Sequence, residues 1–421
     1  MTKNSRLGAM MFLQYALWGA WLPVTARFLS APIAEGGLGF TGPQIGMILG
    51  LAGSIGAIAA PFIAGQLADR YFSTEKFLAV LMLVGGVLKW YTSMQTTYSA
   101  WLILSIAYSI VYMPTIALTN SITFYHIDDQ ENDFPRIRVW GTIGWIAASW
   151  AFPMIWLQTN LSIQWMPPFF VGLEVPDVTS RLADALKFSG IISIFFAAYC
   201  FMLPHTPPKV DAVEKLAFKK AFQLFNKPSF KILVIASLAI SIVHQIYFIQ
   251  AGPFLSHIGL KDSQIGPAMT IGQFAEIITM IFLGYFLKNL GFRKVITIGT
   301  VAYFARYAVF GTESLPVWLI VVSQALHGIC FAFFFAAAFM YVDRITDKDI
   351  RHSAQTVFGI IILGGGPVIG GWLSGFLQEY YTANGVFNFS NFWYTIAGLS
   401  ILTTLFFYLL FKDELSEGNS G

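Results

Sequence analysis

The sequence predicts an all-α membrane protein, with twelve transmembrane helices in two six-helix bundles and both termini cytoplasmic. Three observations predict it. Of 421 residues, 56% are hydrophobic and 11% charged, against roughly 25% charged in an ordinary soluble domain. The apolar residues fall into runs of bilayer length, since about 20 residues cross ~30 Å of hydrocarbon. A polar connection then divides those runs six and six, and short motifs repeat across the division. Such a composition excludes a soluble enzyme, a nucleic-acid binder and a disordered hub. Cys200 and Cys330 lie in apolar runs, so neither a disulfide framework nor a metal cluster is expected.

The first span, 7–30, carries the apolar run around Phe12 to Trp21 and ends near Pro23 and Arg27. It is too long for a signal peptide and lacks a small-residue cleavage site. Gln44-Ile45-Gly46 opens the second, 43–68. Spans 76–96 and 100–125 follow, the latter tolerating Pro114 as transmembrane helices do. Spans 138–158 and 184–204 complete the N-terminal bundle, 1–204. The linker 205–230 is Pro-rich and then Lys-rich. The C-terminal bundle, 231–421, holds spans 231–256, 264–288, 294–311, 316–342, 352–378 and 390–411. Gly46 with Gly50, and Gly366 with Gly370, are spaced as helix-packing faces.

Orientation follows from the basic residues, which concentrate on the cytoplasmic side. The N-terminus, the even-numbered loops and the C-terminal tail hold 19 of the 25 Lys and Arg. The opposite side holds Arg27, Arg181, Lys187 and Lys261, and the spans themselves hold Lys89 and Arg306.

The two halves echo one another. Gln264-Ile265-Gly266 repeats the opening of span 2 at an offset of 220 residues, and Gly284 to Lys288 repeats Gly65 to Asp69 at 219. A repeated six-span unit is the build of an alternating-access transporter with a midplane site. Gly65, Asp69 and Arg70 after span 2, with the degenerate copy after span 8, resemble the loop signature of the major facilitator superfamily. There the glycine permits close helix approach and the Asp–Arg pair latches neighbouring helices, a conformational role.

Polar side chains inside spans are costly and therefore candidates for function. Gln273 and Glu276 are three apart and share a helix face, offering amide and carboxylate to a polar ligand. Glu276 is the only acid well inside a span, which makes it the natural proton carrier. The competing reading is a Glu held by a structural Arg or Lys. Gln14 and Asn120 fit either ligand contact or helix tying. Lys89 and Arg306 read as snorkelling or structurally paired, and His244, on another face from Gln245, reads as structural.

Several strings resemble the nucleoside:proton symporter family within that superfamily: Phe12-Leu13-Gln14-Tyr15 through Trp21, Tyr112-Met113-Pro114-Thr115 with Asn120-Ser121, Asp133 through Gly144, and Arg351-His352-Ser353-Ala354-Gln355. The resemblance implies a nucleoside importer driven by a proton as coupling ion, without cofactor. It also implies a functional monomer in a bacterial inner membrane. By position, the family's substrate-binding residues fall on Arg138, Thr142, Trp145, Gln245, Gln273, Glu276, His327 and Phe331. A nucleobase has flat faces on which Trp145 and Phe331 stack, and the amides and carboxylate suit the sugar hydroxyls. The chain departs from the family pattern at four places. Phe248 replaces an Asn, Ala332 replaces an acid, His327 a Tyr and Trp145 a Phe. The missing acid leaves Glu276 as the first proton-coupling candidate and His327, a titratable ring, as the second. The replacements motivate an alternative cargo: a sugar, nucleobase or modified nucleoside, or drug export. An intramembrane enzyme is disfavoured, because the spans contain no His-Glu-x-x-His, no Gly-x-Ser-x-Gly and no paired aspartates.

Overall fold

The structure, a computed structural model, describes residues 2–63, 72–164, 170–207, 222–346 and 351–414. The loop residues Gly65, Asp69 and Arg70 lie outside the described residues. Eleven helices are described: α1 (Lys3–Ser30), α2 (Gly42–Ala60), α3 (Thr74–Thr92), α4 (Tyr98–His126), α5 (Gln130–Phe152), α6 (Val178–Met202), α7 (Pro228–His257), α8 (Asp262–Gly311), α9 (Val317–Ile345), α10 (Ala354–Tyr380) and α11 (Phe389–Leu410). Nine of these, among the described residues, are long and apolar enough to cross a membrane. α3 and α5 are less apolar; α3 carries Glu75, Lys76 and Lys89, and α5 carries Arg136 and Arg138.

Two features depart from the sequence prediction. α8 runs across the two spans predicted at 264–288 and 294–311, and the turn between them shrinks to Gly291 at φ 73°, a left-handed geometry that only glycine adopts freely. The chain is also not purely helical. α5 loosens into a π-helical turn at Pro153–Leu157, and Gln158–Ile163 (β1) then pairs antiparallel with Phe170–Glu174 (β2). Thr382–Ala383 (β3) and Val386–Phe387 (β4) form a second, two-residue hairpin. Both hairpins occupy polar connections, where backbone groups outside a helix need partners of their own.

The chain packs as two compact units. The first comprises Met1–Asp211 with Phe248–Thr270, and the second Ala212–Tyr247 with Ile271–Gly421. In the first unit small residues set the helix spacing. A Cβ at Gly144 of α5 would lie 2.1 Å from the Phe12 carbonyl oxygen of α1, and one at Gly19 of α1 would lie 2.5 Å from the Trp145 carbonyl oxygen. Ser149 Oγ donates to the Gly19 carbonyl at 2.8 Å across the same crossing. α3 meets α6 at Gly86 and Gly190, and Ser193 Oγ donates to the Met82 carbonyl there. Leu7, Met10, Leu17, Leu78, Tyr112, Ile122 and Phe196 fill the core between these helices.

Polar contacts tie the ends of the first unit. Arg27, at the end of α1, reaches Asp262 at 2.8 Å and Glu35 at 3.1 Å, and Asp262 also accepts from Thr179 Oγ1 at 2.8 Å. At the start of α3, the Glu75 carboxylate accepts the Thr206 amide at 3.0 Å and pairs with His205 Nδ1 at 2.9 Å. Burial pushes the Glu75 carboxyl up, but these hydrogen bonds outweigh it and hold it below its ordinary value.

In the second unit α7 meets α10 at Gly366, whose Cβ would touch Ser241 Oγ, and at Gly370, whose Cβ would lie 2.8 Å from the Ile242 carbonyl oxygen. The predicted Gly366 and Gly370 packing face is therefore a helix contact. α8 meets α9 at Gly299 and Gly328. Tyr307 stacks on Trp393 with centroids 5.3 Å apart. Outward-facing Ile278, Ile281, Phe282, Leu402, Leu405 and Leu409 leave an apolar exterior on α8 and α11, as lipid-facing helices require.

Candidate functional site

In the first unit the candidate residues come from α5. Arg138, Thr142 and Trp145 are spaced i, i+4 and i+7, which is one helix face. The close approach of α1 at Gly144 and Gly19 holds that face against Tyr15 and Trp18. The Arg138 guanidinium lies 4.0 Å over the Tyr15 ring, a cation–π contact that orients the planar fork. Trp145 meets Trp18 edge-on at 5.6 Å and Phe248 at 6.4 Å. This set offers a cation, a hydroxyl and aromatic edges.

Two neighbours resolve open readings. The Gln14 amide donates to Thr115 Oγ1 at 2.8 Å, and Tyr112 donates its hydroxyl to the Gln14 carbonyl at 3.0 Å. Gln14 is fully buried; its side-chain NH2 and its backbone carbonyl tie α1 to α4, while its Oε1 has no hydrogen-bond partner among the described residues. Lys89 does not snorkel. It is buried, with its ammonium 3.2 Å from the Trp21 ring centroid and 4.0 Å from that of Tyr108. Among the described residues no carboxylate lies within ion-pair distance of it.

In the second unit the candidates come from three helices. Gln245 on α7 packs its Cβ against Gly370. On α8, Gln273 is buried, and its Oε1 is shut from solvent with no hydrogen-bond partner among the described residues. Glu276, one turn on, is half-buried. A Cβ at Gly272 would meet the His327 side chain, and one at Gly328 the backbone of Ala275 and Glu276, so α8 and α9 cross closely beside Gln273, Glu276 and His327. Phe331 lies on the π-helical turn Cys330–Ala336, partly exposed and 6.0 Å from Phe335. Turns of this type re-aim side chains and recur at functional sites.

His327 anchors a polar cluster within that unit. Arg306 Nη1 lies 3.0 Å from His327 Nδ1, Arg306 Nη2 donates to Gln324 Oε1, and the guanidinium sits 3.7 Å over Tyr247. His244 stacks on His327 with centroids 5.4 Å apart at 15°, and its Nδ1 lies 2.8 Å from the Tyr303 hydroxyl. Sequence reasoning set His244 aside as structural and left Arg306 with an unnamed partner. Helical phase alone carries no signal for either contact, because the partners lie on other helices.

A model of the family described as Nucleoside H+ symporter matches residues 1–416. YegT of Escherichia coli (strain K12), provisionally named a nucleoside transporter, is 32% identical over 99% of this chain and 96% of its own length. Nucleoside permease NupG of the same strain is 29% identical over 98% of this chain and 96% of its own. A crystal structure of the nucleoside transporter NupG superposes with a TM-score of 0.83 at 27% identity, covering 98% of this chain and all of that one. A D-xylose–proton symporter at 12% identity shares the fold, with a TM-score of 0.74.

Proposed function

The chain belongs to the nucleoside H+ symporter family and is a multi-pass, proton-coupled nucleoside importer, and we propose that Arg138, Thr142, Trp145, Gln245, Gln273, Glu276, His327 and Phe331 form its substrate site, with Glu276 as the proton carrier. The observation that carries this reading is the Gln273 and Glu276 pair. Gln273 presents a buried carbonyl oxygen without a partner among the described residues, and an unmet buried acceptor costs about 1–3 kcal/mol until a donor reaches it. A sugar hydroxyl or exocyclic amine is such a donor. Glu276 is half-buried one turn away, placed to take a proton with the ligand and to release it when the site opens to the other side.

In the proposed cycle the nucleoside meets protonated Glu276 from outside. Trp145 and Phe331 stack on the base, and Gln245 and Gln273 hold the sugar. The two halves, 1–204 and 231–421, then rock about the linker 205–230, and substrate and proton leave inward. The break at Gly291 supports twelve spans rather than eleven. The excess of Lys and Arg on one side supports cytoplasmic termini, and the Escherichia coli relatives support a bacterial inner membrane. A monomer needing no cofactor suffices for this cycle.

Uptake of labelled uridine or adenosine into proteoliposomes under an imposed pH gradient tests the reading. Glu276→Gln is expected to bind nucleoside but to lose concentrative uptake. Accumulation equal to the parent's refutes the assignment of the carrier.

A further inference from the structure

The geometry points to Arg306 as a positioning residue that locks His327 as a neutral ring with its proton on Nε2, making His327 a fixed hydrogen-bond donor to the nucleoside and removing it from proton coupling. The donor role rests on the reading above that His327 belongs to the ligand site; the lock itself does not.

A guanidinium has five N–H donors, no acceptor, and stays protonated. Nη1 of Arg306 is 3.0 Å from His327 Nδ1, so that nitrogen must accept and carries no hydrogen. A neutral imidazole then holds its proton on Nε2. A second proton on Nδ1 would set N–H against N–H and a second cation beside Arg306. Both residues are almost wholly closed to solvent, Arg306 at 0% and His327 at 2% exposure, where such repulsion is poorly screened.

The surroundings reinforce the lock. Tyr247 covers the guanidinium face, and Gln324 takes Nη2, so Arg306 cannot swing away without losing both. On the other side His244 lies nearly parallel to His327, and Tyr303 engages His244 Nδ1. Among the described residues, the titratable or charged groups facing the His327 ring include Arg306, Tyr247 and His244, with Tyr303 behind and Glu276 on the helix that abuts Gly328. Among these the cation is Arg306, and no carboxylate stands within ion-pair distance of it among the described residues. Its compensation is neutral: a ring face, an amide oxygen and an imidazole nitrogen. A donor-only His327 selects ligands that present an acceptor, such as a base carbonyl, a ring nitrogen or a sugar oxygen.

The test uses the full-length protein with ¹⁵N-labelled histidine in lipid nanodiscs. The His327 signals are identified by their absence from His327→Gln. In the parent, Nδ1 is expected to show the unprotonated signature and Nε2 the protonated one, unchanged from pH 8 to pH 5. Arg306→Met is expected to let the ring titrate or mix tautomers. Arg306→Lys, which keeps a donor, serves if the Met variant does not fold. In proteoliposomes His327→Gln, which retains an N–H donor, is expected to reach the parent's accumulation plateau with KM raised about 3- to 10-fold, the worth of one altered hydrogen bond. A His327 ring that gains a second proton in that range, an Nδ1–H tautomer, or loss of pH-driven accumulation in His327→Gln overturns the proposal. Absence of any nucleoside uptake, or accumulation by Glu276→Gln, instead defeats the site reading and leaves the ring's tautomer measurable.

Discussion

Replacing Gly144 by Ala puts a methyl group into the close crossing of α1 and α5 in the first unit. The new Cβ would stand 2.1 Å from the Phe12 carbonyl oxygen, 2.8 Å from its carbon and 2.9 Å from its Cα. All three are backbone atoms, so no side chain can turn aside. Ordinary carbon–oxygen contact lies near 3.3 Å, and the helices must part by about 1 Å to reach it. Overpacking of this kind costs about 1–3 kcal/mol. The Ser149 to Gly19 hydrogen bond, which spans the same crossing at 2.8 Å, adds about 1 kcal/mol if it breaks. A loss of about 2–4 kcal/mol is expected, read as a fall of several degrees in the thermal unfolding midpoint of the purified protein. The same displacement moves Arg138, Thr142 and Trp145 relative to Tyr15 and Trp18, so KM for nucleoside uptake is expected to rise. Gly53→Ala is the control. Nothing lies within 4 Å of its Cβ, and Ala favours the helix by up to about 1 kcal/mol. A Gly144→Ala midpoint equal to the parent's, or an equal fall in Gly53→Ala, refutes the close-packing account.

Two further outcomes follow from the polar ties. Arg27→Met and Asp262→Asn are expected to couple by about 1–2 kcal/mol in a double-mutant cycle of unfolding midpoints, because the Asp262 carboxylate is largely closed off from solvent while it accepts from Arg27 and Thr179; additive effects would show that the pair contributes nothing. Glu75 is held below its ordinary value of 4.5 in the folded protein, so its contribution is present above pH 4.5 and is lost as pH falls through the lowered folded value. Glu75→Gln is therefore expected to flatten the midpoint-against-pH curve on the acid side of pH 4.5, and a curve parallel to the parent's would contradict this.

The sequence by itself determined the membrane character, because apolar runs of bilayer length and an 11% charged composition leave a chain no soluble solution. It determined which candidate residues share a face, since i, i+4 and i+7 spacing is fixed by the helix: Arg138, Thr142 and Trp145 on α5, and Gln273 with Glu276 on α8. The strings around Phe12 and Asp133 determined the family. Tertiary structure alone decided the partners. Lys89 found the faces of Trp21 and Tyr108 rather than a carboxylate, Gln14 gave its amide to Thr115, and His244, dismissed by its phase on α7, stacked on His327 of α9. Only the fold showed that the turn between two predicted spans is the single residue Gly291, and that α5 gives way to a hairpin. The physical reason is the same throughout. Periodicity records which side of a helix avoids lipid or water, whereas the identity of a contact depends on the axial register and spacing of another helix. Those are set by glycines such as Gly19, Gly144, Gly272 and Gly328, whose neighbours lie far away in the chain.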